Sequence, residues 1–93
     1  MKLYQENQCE AIAEHYGMKN QLPIAIEEMS ELTKEICKYI RGNDNLNDLV
    51  EEIADVQIMV RQLIALFEVE IQVDKMIDYK LERQWERMKH EKN

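Results

Sequence analysis

The chain has 93 residues, 45% hydrophobic and 33% charged, with 2 glycines, 1 proline and a net charge of -7. That length bounds one domain, residues 1–93, near the size where oligomerisation often supplements a small core. The acidic balance argues against a grip on polymeric nucleic acid, which rests on Lys and Arg neutralising phosphates, and no apolar run approaches the ~20 residues of a bilayer span.

The opening stretch MKLYQENQCEAIAEHYG lacks an apolar segment of signal-peptide length, so a cytoplasmic location is expected, with no membrane partner. Cys9 and Cys37 are the only cysteines and form no CxxC or Cys/His spacing, which fits two reduced thiols. Gly17, Pro23 and the run from Gly42 to Asn45 punctuate an otherwise helical periodicity. A first helix is predicted over about residues 2 to 16, with Cys9, Ile12, Ala13 and Tyr16 on one face. The second is predicted from Pro23, a residue suited to a first turn, to Arg41, with Gly42 as its stop. The third starts after Asn47 as N-cap, with Asp48 in its first turn, and runs to about Glu68. The fourth covers about residues 72 to 90. No stretch alternates with period two over strand length, so the fold class is all-α, a bundle of about four helices.

Two heptapeptides repeat one pattern: IEEMSEL at 26–32 and VEEIADV at 50–56. At ~100° per residue, the apolar arc of the second helix is Ala25, Met29, Leu32, Ile36, Tyr39 and Ile40, and Glu28 falls inside it with Glu31 at its edge. The third helix has the arc Leu49, Ile53, Val56, Met59, Val60, Leu63 and Phe67, with Glu52 inside and Asp55 at the edge. With 19 acids in the chain, an acid-x-x-acid spacing recurs by chance and usually marks a solvated face. Asp48 and Glu51 are such a case. Glu28 and Glu52 differ because they occupy core positions, where unpaired carboxylates are costly and clustered ones repel. Either the four stay apart and wet, or a hard divalent cation such as Mg²⁺ joins them. In a tight hairpin Glu28 would lie ~20 Å before the turn and Glu52 only ~10 Å after it. The pairs align only if residues 42–48, GNDNLND, run back along the second helix.

Glu27-Glu28-x-x-Glu31 followed about twenty residues later by Glu52-x-x-Asp55 resembles the EExxE…ExxD signature of the all-α, MazG-type nucleoside triphosphate pyrophosphohydrolases. The resemblance extends through Gln21-Leu22, Lys38-Tyr39-Ile40-Arg41-Gly42 and Tyr79-Lys80-Leu81-x-Arg83, from about residue 17 to 88. It implies a MazG-like helical bundle completed by dimerisation or tetramerisation. It also implies Mg²⁺-dependent hydrolysis, with Mn²⁺ as a substitute, of an NTP or dNTP between the α and β phosphates, in nucleotide-pool house-cleaning. Glu28, Glu31, Glu52 and Asp55 would be metal ligands. Glu27 matches the motif's first acid and would position or deprotonate the attacking water, or else is a solvated surface glutamate.

Lys80, Arg83 and Arg87 share one flank of the fourth helix beside the apolar stripe Val73, Ile77, Leu81, Trp85 and Met88. That flank, with Lys38, is the candidate for binding the substrate's phosphates; ordinary salt bridges with acidic neighbours are the alternative. Trp85 and Tyr39 lie within apolar arcs and are expected in the core before any role in stacking on a base. His15 and His90 are far from the acids in sequence and are read as surface residues. Three rivals remain. One is a catalytically silent helical interaction module, and one is an enzyme of the same superfamily with another substrate, such as phosphoribosyl-ATP. The third, a di-iron carboxylate bundle, needs Glu-x-x-His pairs that are not present.

Overall fold

The computed structural model describes residues 1–91, which form four helices and no strand: α1 (Leu3–Tyr16), α2 (Met18–Ile40), α3 (Leu46–Phe67) and α4 (Glu70–Glu91). None of them is long and apolar enough to cross a membrane. The Gln5 side chain accepts the backbone N–H of Lys2 at 2.7 Å and so closes the free end of α1. Gly17 then turns the chain in a single residue. Its φ of 82° lies where only glycine is comfortable, its N–H bonds the Ala13 carbonyl, and its carbonyl accepts the first bond of α2 from Gln21.

The second helix therefore begins at Met18 and not at Pro23, which becomes its sixth residue. Proline there removes only the bond to the Lys19 carbonyl. Lys19 and Pro23 are both exposed, so that carbonyl keeps water within reach. At the other end Gly42 is the stop, with φ 94°; its N–H bonds the Tyr39 carbonyl, and that of Asn43 the Lys38 carbonyl.

The third helix starts at Leu46, so its N-cap position belongs to Asn45 and not to Asn47. The Asn45 side chain does not cap. Its amide nitrogen donates to the backbone carbonyl of Glu35 at 2.9 Å and to the Glu35 carboxylate at 3.0 Å. The connection thus doubles back over residues 41–45, shorter than the 42–48 stretch expected from the sequence, and Asn45 is pinned level with Glu35.

Helix α3 is the centre of the fold, packed against α2 on one side and α1 on the other. Cys9, Ala13, Ala25 and Met59 are the buried apolar residues. Gln21 and Gln62 are buried among these helices and bond side chain to side chain at 2.8 Å. Both cysteines are free thiols, Cys9 buried and Cys37 exposed. Much of each apolar arc stays uncovered in the single chain: Met29, Ile36, Tyr39, Ile53 and Val60 are all exposed.

Arg61 ties the elements together at the far end of α3. Its guanidinium lies 2.8 Å from Glu10, 3.0 Å from Glu70 and 4.0 Å from Glu6, which joins α1 and the start of α4 to α3. The arginine is largely buried while its partners are half open to water, which weakens each pair. Arg61→Met is expected to cost about 1–3 kcal/mol, between the values for surface and buried pairs, because three glutamates are left facing one another. Urea unfolding at fixed protein concentration measures it.

Beyond that clasp α4 leaves the body. Glu68, in the left-handed conformation at φ 54°, makes the elbow with Val69, and no residue of α4 is buried. The radius of gyration is 16.2 Å, against ~12 Å for a compact domain of this length. Trp85 and Tyr39, expected in the core, are both exposed.

Candidate metal centre

The pin at Asn45 sets the register of the α2–α3 hairpin. Glu28 lies seven residues before Glu35, and Glu52 seven residues after Asn45. At 1.5 Å per residue both are ~10 Å from the pin along antiparallel helices, so they stand level. The mismatch expected of a tight hairpin is removed by this offset. One carboxylate oxygen from each of Glu28, Glu52 and Asp55 lies within 4.8 Å of the others, and all three residues are half-buried.

The electrostatics of the three are unfavourable without a cation. Burial pushes the Glu28 carboxyl above its usual range, and the charge of Asp55, a hydrogen bond with Asp55 that needs a proton between them, and the charges of Glu52 and Glu27 push it further. Burial also raises Glu52, helped by Asp55, Glu31, Glu51 and Glu35. One oxygen of Glu52 is buried with no hydrogen-bond partner. An orphaned carboxylate oxygen beside two more carboxylates fits a hard divalent cation, which takes oxygen ligands and keeps positions for water and phosphate oxygens.

Glu31 stands outside this group; it is exposed, although its charge reaches Glu52. Glu27 is likewise exposed, next to the group, and acts on Glu28 through its charge. Lys38 is 3.4 Å from the Glu35 carboxylate, so its first partner is a protein acid. Lys80, Arg83 and Arg87 are exposed on α4, which does not touch α2, and they form no salt bridge among the described residues. Arg83 lies over the Tyr79 ring at 5.6 Å. His15 packs edge-on against Tyr16 at 4.7 Å on α1, and His90 is exposed on α4.

Sequence reasoning passed over Glu35, Asn45, Arg61 and Gln62. A signal for Glu35 was present: Gln21, Glu28 and Glu35 recur every seven residues, so one seam of α2 carries a polar residue at each second turn. In space Gln62 answers Gln21, Glu52 and Asp55 answer Glu28, and Asn45 answers Glu35. The outer two layers are hydrogen-bonded between protein groups, while the middle layer consists of acids alone. No protein family, curated protein or solved structure matches the chain.

In the metal-free folded state Glu28 and Glu52 hold protons more tightly than their ordinary value of 4.5. As pH falls from 7 toward about 5, the folded chain takes up protons before the unfolded chain does, so stability rises. Glu35 is shifted down, first by the Asn45 hydrogen bond, and stays ionised in both states across that window. In EDTA the melting temperature is therefore expected to increase from pH 7 to about 5. A flat or falling profile would contradict the buried acid cluster.

Proposed function

We propose that this protein is a Mg²⁺-dependent nucleoside triphosphate pyrophosphohydrolase, cleaving an NTP or dNTP between the α and β phosphates to the monophosphate and pyrophosphate. The observation that carries the reading is the meeting of Glu28, Glu52 and Asp55 within 4.8 Å at half-buried positions on two helices. These are three of the four residues that the resemblance to MazG-type enzymes assigns to metal. A structural role alone gives no reason for three like charges in one seam, since apolar residues would pack there without repulsion.

Glu28, Glu52 and Asp55 would hold the ion, with Glu31 one turn along α2 as the candidate fourth ligand. Bound there, Mg²⁺ supplies charge neutralisation for the phosphates and polarisation of the α-phosphoryl group. The chain's own residues would position the reaction. The α2–α3 seam fixes the carboxylates in one register, and their half-burial limits the water around them. Glu27, exposed beside Glu28, would orient or deprotonate a water at the edge of the site. No protein nucleophile is required. A role in clearing non-standard nucleotides follows by analogy of fold and motif.

The second reading is a catalytically silent helical interaction module. The wide exposed apolar arcs of α2, α3 and α4 favour it. Product analysis separates the two: the purified protein is incubated with a panel of NTPs and dNTPs, in Mg²⁺ and in EDTA. The hydrolase reading expects pyrophosphate and monophosphate only with metal and no orthophosphate. No turnover, together with no Mg²⁺-induced rise in melting temperature, overturns it in favour of the silent module.

A further inference from the structure

The connection between α2 and α3 carries more oxygen donors than a turn requires. Asp44, Asn45, Asn47 and Asp48 put four oxygen-bearing side chains into five residues, and with Leu46 they line a cavity of about 400 Å³. Asp44 and Asp48 are exposed and form no salt bridge among the described residues. Acids at a helix start suit the helix dipole, so the two carboxylates alone would signify nothing more.

Asn45 adds a separate observation. The residue is 8% exposed, and its side-chain oxygen is buried with no hydrogen-bond partner among the described residues. An asparagine at this position ordinarily accepts an N–H from the first turn of its helix. Here the backbone sits at φ -122° and ψ 31°, away from the extended conformation of a cap, and no such bond forms. The amide nitrogen is committed to Glu35. That leaves the oxygen as the free edge of the amide, turned from Glu35 toward the cavity that Asn45 lines. A buried acceptor of this kind calls for a donor or a cation. Asp44 and Asp48 exclude an anion, and a neutral donor would leave both carboxylates unanswered.

We infer that the segment 44–48 binds a calcium ion through Asn45 Oδ1, the carboxylates of Asp44 and Asp48 and the amide oxygen of Asn47, with water completing the shell. Ca²⁺ takes about six to eight oxygens in flexible geometry, amide oxygens among them, whereas Mg²⁺ demands a near-ideal octahedron and dehydrates reluctantly. Two carboxylates and two neutral oxygens on a connecting segment therefore suit Ca²⁺, as the three carboxylates of the acid seam suit Mg²⁺. With two charges only, the affinity is weak, on the order of 10⁻⁴–10⁻³ M. The two sites are separate, because Asn45 lies seven residues before Glu52, ~10 Å along α3. Calcium would clamp the residue that sets the register of the acid seam. The binding itself does not rest on the hydrolase reading.

The test needs no turnover. Calcium chloride is titrated into the nitrogen-15-labelled full chain to about tenfold above that range, and backbone and side-chain amide signals are followed by NMR. Saturable shifts centred on residues 44–48, the side-chain amides of Asn45 and Asn47 among them, are the expected result. They should persist in Glu52→Gln, whose acid seam has lost a ligand. The pair Asp44→Asn, Asp48→Asn should weaken binding by about tenfold or more, since ligand charge sets calcium affinity. Both residues are exposed, so the rest of the spectrum should stay that of the parent.

No saturable shift in the segment would show that water alone satisfies Asn45, and shifts only around Glu28, Glu52 and Asp55 would put the ion in the acid seam. Either overturns the site. An equal response in the double variant overturns the ligand assignment, and a response of equal strength to Mg²⁺ overturns the assignment to calcium. Calcium binding without nucleotide hydrolysis would keep this site and sink the hydrolase reading. Hydrolysis without calcium binding would do the reverse.

Discussion

Glu52→Gln is expected to lower Mg²⁺-dependent turnover by roughly 10²–10³-fold or more, the scale for removing one preorganised electrostatic group, while the metal-free fold becomes more stable. The two effects have one origin. Glu52 has an oxygen buried without a partner, and its carboxyl is raised first by burial and then by the charges of Asp55, Glu31, Glu51 and Glu35. An amide of the same shape removes the charge that repels those neighbours, so the melting temperature in EDTA should rise. It also removes a hard anionic ligand, so the stabilisation by Mg²⁺ should shrink or vanish. Glu51→Gln is the control, because Glu51 is exposed and outside the three-carboxylate group. Equal loss in both variants, or lower stability of Glu52→Gln in EDTA, would remove the argument for a metal cage.

The four helices were legible because their periodicity is strong and Gly17 and Gly42 interrupt it where φ must be positive. The acid site was legible for the same reason: Glu28 and Glu52 stand at apolar positions of two helices in one register. What the pattern missed lies in long-range contacts. Asn45 and Asn47 are equally good caps by type, and only the bond from Asn45 to Glu35, ten residues away, decides between them. Pro23 reads as a helix start, yet the glycine turn six residues earlier sets the boundary, because Pro23 and the Lys19 carbonyl that loses its donor are on the exposed side of α2. Arg61 looks like one cation in an apolar helix, and its three partners lie on two other helices. The direction of α4 was beyond periodicity altogether. An amphipathic stripe shows that something covers it and leaves open whether that is the same chain or another.

Asn45→Ala should damage the site without touching a single proposed ligand. Asn45 is buried, and its amide holds both the carbonyl and the carboxylate of Glu35. Removal leaves those oxygens without their donor, and Lys38 at 3.4 Å answers only one side of the carboxylate. A drop in melting temperature of roughly 5–15 °C is expected for a domain of this size. Because the Asn45 bond is the first cause of the lowered Glu35 pKa, the sign of its acid dependence is defined. A depressed carboxyl contributes stability above its ordinary value and loses it as pH falls through the folded-state value. That acid-induced loss should be smaller in Asn45→Ala than in the parent. The pin also sets where α3 begins against α2, so a slipped connection would carry Glu52 and Asp55 past Glu28. Calorimetry should then find weaker Mg²⁺ binding than in the parent even at temperatures where the variant is fully folded. Binding of parental strength in the folded variant would show that helix packing alone, and not the Asn45 pin, sets the register of the carboxylates.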